Sequence, residues 1–155
     1  MEGAYTWRYW QERAIAAGDP LALLQLAVEE QQSPQQQRAA VDAAARSGDP
    51  EVYYTLGLWL PTLGVGLTEA VGWQLVACEL GYDCRMDNPR VGMGCLEAGY
   101  CTSGQTVAEK LRDEVGFGPL ARAQARADAI VAELKAGRVP RVELDSGMRK
   151  VPLAC

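Results

Sequence analysis

Apolar residues recur at helical spacing along most of the chain, and short runs of turn residues interrupt them. Gly18-Asp19-Pro20 and Gly48-Asp49-Pro50 stand thirty residues apart. In each, the glycine suits the left-handed position that closes one helix. The aspartate suits the N-cap of the next, and the proline its first turn. Alanine-rich sequence precedes both joints, and Leu- or Tyr-rich sequence follows them. Ser33-Pro34-Gln35-Gln36 is a further start signal, with Gln36 placed to reach back in a capping box. The pattern predicts helices near 5–17, 20–31, 34–47 and 50–60, with a loop from Pro61 to Leu67. Thr68 is expected to cap a helix running through Leu80 and closed by Gly81. Asn88-Pro89 opens a short helix to about Glu97, and Thr106 with Glu109 makes a capping box for a helix to about Val115. The last helix is expected from Pro119 to Ala136, with Leu120, Ala123, Ala127, Ile130, Val131 and Leu134 inward. Residues 1–137 read as one helical domain. The tail 138–155 has no helical period and reads as loosely ordered, or as an extended segment that docks in trans.

Two predicted helices carry extra information. In 69–80, Trp73, Val76, Ala77 and Leu80 form one apolar stripe, and Val71, Leu75 and Cys78 form another. Only Gln74 and Glu79 are strongly polar, so this helix is expected at the centre, between neighbours. In 50–60, Val52, Leu56 and Leu60 form the inward stripe, while Tyr54, Thr55 and Trp59 fall toward the other side. They are candidate partner-binding residues, because exposed aromatics on a helix make good interface anchors. The alternative is that the helix is sandwiched and buries them. Trp7 and Trp10, in an aromatic cluster with Tyr5 and Tyr9, are the second candidate surface.

Composition narrows the chemistry. The chain has 155 residues, a formal net charge of −5 and no histidine. Length and a 48% hydrophobic content fit one domain with its own core. An acidic balance argues against a nucleic-acid partner, which would require a basic face. The first hundred residues are the acidic part, a candidate surface for a basic partner if these are not simply solvated helix faces. Without histidine, Ser-His-Asp and Cys-His sites are excluded, as are His-containing metal sites. Phosphate-binding loops, nucleophile elbows and zinc-protease motifs are absent. Asp83, Asp87 and Asn88 miss the spacing of a calcium loop. The adjacent pairs Glu29-Glu30 and Asp113-Glu114 do not face each other on a helix. No cofactor is expected. No run is long enough for a transmembrane helix, and the first residues do not resemble a signal peptide.

Four of the five cysteines lie in two similar segments, Cys78-Glu-Leu-Gly-Tyr-Asp-Cys84 and Cys95-Leu-Glu-Ala-Gly-Tyr-Cys101. Each has one cysteine in the last turn of a predicted helix and a Gly-Tyr step that turns the chain. Such a reversal brings α-carbons within disulfide range, about 4.4–6.8 Å. The expected pairs are Cys78–Cys84 and Cys95–Cys101, with a crossed pairing as the alternative. A zinc site is disfavoured by the spacing. Reduced, buried cysteines are the remaining reading, best suited to Cys78. Disulfides would imply an oxidising compartment, hence a periplasmic or secreted location, with a cytoplasmic one as the alternative. Cys155 has no evident mate.

Ala14 to Ala27 and Ala43 to Leu60 resemble the joints of Sel1-like and tetratricopeptide-type repeat proteins of bacteria, and Ala70 to Gly81 looks like a degenerate third unit. The thirty-residue spacing is shorter than the usual unit. The resemblance implies an all-α fold: a short, right-handed stack of antiparallel helical hairpins, here stapled by disulfides. It implies a binding scaffold and carries over no catalytic residue. The expected function is a non-catalytic protein-binding module of the bacterial envelope, an adaptor or an inhibitor such as an immunity protein against a secreted toxin. An enzyme with a carboxylate- or Cys-based site, and a terminal cap of a longer repeat protein, are the alternatives.

Overall fold

The computed structural model describes residues 6–29, 32–98 and 104–144, with the backbone alone for 94–98. Among the described residues there are eight α-helices and no strand. They are α1 (Trp7–Ala16), α2 (Pro20–Glu29), α3 (Pro34–Arg46), α4 (Pro50–Trp59), α5 (Leu67–Glu79), α6 (Pro89–Ala98), α7 (Val107–Val115) and α8 (Phe117–Lys135). A 3-10 turn, Leu60–Leu63, follows α4. One isolated antiparallel bridge, Arg85 to Thr106, ties the loop before α6 to the start of α7.

The helix ends follow the local signals. Gly18 adopts φ 77°, and a Schellman pattern closes α1: Gly18 N–H donates to Ile15 and Asp19 N–H to Ala14, each at 2.9 Å. Asp19 then accepts from the Ala22 amide at 2.9 Å. At the second joint Asp49 accepts from the Glu51 amide at 2.8 Å. Both predicted capping boxes form, Ser33 with Gln36 and Thr106 with Glu109. Two starts differ from expectation. α5 begins at Leu67 with Gly66 as N-cap, not at Thr68, because Gly64 in the left-handed region has already reversed the chain. α8 begins at Phe117, not Pro119. A proline in the first turn removes only an N–H that has no intrahelical acceptor anyway.

α5 is the central element. It packs most extensively on α4 and α8, and also on α7 and the 3-10 turn. Ala70 through Ala77 are all buried, as a helix apolar nearly all round requires. Trp73 is fully buried and its ring lies 5.3 Å from that of Tyr53. The α4–α5 crossing is close: a Cβ on Gly57 would sit 2.6 Å from the Ala70 carbonyl oxygen. A bidentate ion pair joins α5 to α8. Arg126 Nε and Nη2 donate to Glu69 at 2.6 and 3.0 Å, and the Trp73 indole donates to the same carboxylate at 3.1 Å. The carboxylate raises the Arg126 pKa through these hydrogen bonds.

The stretch 138–144 has neither helix nor strand, but it is part of the packing. Val142 is buried in the core, and its carbonyl accepts from Arg38 of α3. Leu144 rests against the same cluster.

Candidate functional site

The α4 aromatics do not form the exposed row that the sequence suggested. Tyr54 is only 6% exposed and stacks on Tyr82, with centroids 4.8 Å apart. Thr55 is half-buried, its hydroxyl donating to the Glu51 carbonyl at 3.0 Å. Trp59 is half-buried against the core. The sandwiched alternative therefore describes this helix: α2, α3 and α5 all contact α4, and Tyr82 of the loop after α5 covers the Tyr54 ring.

Trp7 and Trp10 are different. They are 67% and 55% exposed, and α1 contains no buried residue. Tyr9 meets Trp10 edge-on at 5.3 Å, and the Arg13 guanidinium covers the Tyr9 ring at 5.6 Å. The helix thus presents two indoles and a braced phenol on one short rod. Phe117, at the start of α8, is also exposed, under the Arg112 guanidinium.

Cys78 and Cys84 form a disulfide with α-carbons 5.5 Å apart. The Schellman turn at Gly81 makes that approach possible: Tyr82 N–H donates to Ala77 at 2.9 Å and Gly81 N–H to Cys78 at 3.3 Å. The bridge fastens the end of α5 to the loop that enters α6. In that loop Asp83 is held by Arg85, whose hydrogen bonds push its carboxyl down to about 2, and the Asn88 amide donates to the Asp83 carbonyl at 2.7 Å. The expected Cys95–Cys101 pair, and Cys155, lie outside the described side chains.

Two concave regions were not legible in the sequence. The first is a cleft of about 220 Å³ between α4, α5, α6 and α7. Leu58, Val71, Val91, Val107 and Leu111 give it apolar walls, and Tyr54, Gln74, Lys110 and Glu114 supply polar groups. Burial, with Tyr82 and Glu114 nearby, pushes the Tyr54 hydroxyl up to about 12. It is therefore a neutral donor throughout the physiological range. The only sequence signals for this cleft were Gln74 in an apolar helix and Gly57 in the middle of α4. The second region is an open cleft of about 340 Å³ at the ends of α3 and α8, floored by Tyr53, Leu80 and Leu134. Arg46, Lys135 and Arg138 line its edge, where cations complement helix C-terminal dipoles. No group of metal-ligating side chains occurs among the described residues, and no described helix is long and apolar enough to cross a membrane.

No family model, curated protein or solved structure matches the chain.

Proposed function

We propose that this chain is a non-catalytic protein-binding module of the bacterial cell envelope, an adaptor or an inhibitor of a secreted protein such as a toxin. In this reading its helices form a short stack of hairpins related to the Sel1-like and tetratricopeptide-type repeats. The observation that carries the reading is the exposure of Trp7 and Trp10 on a helix with no buried residue. Tryptophan is enriched among the residues that dominate binding energy, and large apolar side chains clustered on a surface mark interaction sites. The Cys78–Cys84 bridge supports an oxidising compartment.

Affinity capture from an extract of the native host, under non-denaturing conditions, tests it. The wild-type chain is expected to retain a protein partner that a Trp7→Ala, Trp10→Ala variant releases. Recovery of no specific partner, or equal retention by the variant, sinks the proposal. Thiol blocking before extraction tests the compartment: Cys78 and Cys84 are expected to resist alkylation until reductant is added.

A further inference from the structure

Gln74 lies deep in the most apolar helix of the molecule. It is 9% exposed, lines the cleft between α4 and α7, and its side-chain amide makes no hydrogen bond to any described residue. No buried side-chain nitrogen or oxygen among the described residues lacks a partner, so the Gln74 amide reaches the solvent of the cleft and is available there to a ligand. The residue facing Gln74 carries a cost of its own. Gly57 stands mid-helix in α4, where glycine costs about 0.5–1 kcal/mol relative to alanine. A Cβ there would come 2.6 Å from the Ala70 carbonyl oxygen and 2.7 Å from Gln74 Cγ, so the glycine permits the close α4–α5 crossing beside which Gln74 lies. An amide with no partner in the protein, set in an otherwise apolar helix and opening on a cavity, is a local departure from pattern of the kind that marks functional sites.

The rest of the cleft defines what fits. Its walls are apolar, from Leu58 and Val71 on one side to Val107 and Leu111 on the other. Tyr54, whose hydroxyl makes no hydrogen bond to a described residue either, adds an aromatic face and a neutral donor. The charges at the rim are already matched: Lys110 pairs with Glu114 at 3.3 Å, and Arg90 with Glu51. Among the described residues no unbalanced charge remains there to hold an ion. At about 220 Å³, the space exceeds the roughly 150 Å³ cavity that admits benzene. It falls short of the roughly 300 Å³ at which drug-sized pockets begin.

We infer that this cleft binds a small neutral molecule, one or two rings in size, carrying a single hydrogen-bond donor from which the Gln74 amide oxygen accepts. The inference is independent of the protein-binding role of α1. Indole and indene are suitable probes, being the same shape with and without an N–H. Titration of the full chain, followed by calorimetry and by chemical-shift changes at Gln74, is expected to show saturable indole binding. Indene is expected to bind about 3- to 10-fold more weakly, the value of one neutral hydrogen bond. Gln74→Leu, which keeps the volume and removes the amide, should bring the two probes to equal affinity. Absence of saturable indole binding would overturn the inference. So would equal affinity of the two probes for the wild-type chain, or a Gln74→Leu variant that still prefers indole.

Discussion

α1 and α4 each belong to a Gly-Asp-Pro joint, one before it and one after, and both are ten residues long. Their surroundings have little in common. α4 buries Val52, Tyr53, Tyr54, Leu56 and Gly57, whereas α1 buries nothing and packs chiefly on α2. The joints themselves are satisfied to a similar degree, with each glycine left-handed and each aspartate accepting from an amide of the next helix. Local capping therefore sets where a helix starts and stops, and contributes about 1 kcal/mol per cap. It does not decide whether the helix is core or surface. An isolated ten-residue helix is marginal in water, so the stability of α4 comes from its neighbours, and α1 has few to supply it.

The difference should be largest in tryptophan truncation. Trp73→Ala is expected to cost about 3–5 kcal/mol, the range for a large aromatic removed from a core. Trp10→Ala should stay within about 0.5 kcal/mol, as for an exposed site. Urea unfolding of the two variants checks the pair, and similar midpoints would erase the distinction between the two regions. Next is the staple at the end of α5. Removing it with Cys78→Ser and Cys84→Ser should cost about 2–3 kcal/mol, as expected for a short loop. The change should leave amide exchange in α1 where it was, because a helix with no buried residue is expected to open below the global limit.

Gly57→Ala should cost about 1–3 kcal/mol by overpacking the α4–α5 crossing. Calorimetry would show this as a lower Tm. An unchanged Tm would mean that the two helices can separate without loss, and that the core at this point is looser than its geometry indicates. The smallest effect concerns pH. Tyr54 has its hydroxyl pKa raised from 10 to about 12 in the folded chain. A raised pKa favours the proton-bound form in the native state, so this contribution is complete below pH 10. It is lost as pH rises from 10 toward 12. Tyr54→Phe should flatten the decline of stability in that window, as read by denaturant midpoints at pH 9 and pH 11. An identical decline in the variant would assign the pH dependence to other groups.

Much of the architecture was legible along the chain, because it rests on short-range chemistry. Ser33 with Gln36, Thr106 with Glu109, and the two Gly-Asp-Pro joints mark helix ends through bonds that span only a few residues. The two starts that differed, at Leu67 and Phe117, are places where a left-handed glycine acted earlier than the nearest obvious cap. The central position of α5 was also readable, since a helix with apolar residues on every side has to be enclosed. The Cys78–Cys84 bridge followed from a glycine turn between cysteines six positions apart.

What the sequence did not determine were the properties that depend on which helix lies beside which. The sequence left Tyr54 either outside, as a binding residue, or inside a sandwiched helix; it is inside, stacked on Tyr82 of the loop after α5. Trp7 and Tyr53 are both aromatic residues near a helix start, and composition cannot separate the exposed one from the buried one. The ion pair between Glu69 and Arg126 joins positions 57 residues apart, and the contact of Arg38 with Val142 spans 104. The cleft containing Gln74 and Tyr54 draws its walls from four helices. Helix ends are set by bonds within a turn, so a sequence states them. Burial and concavity arise from packing between distant segments, which only the assembled chain defines.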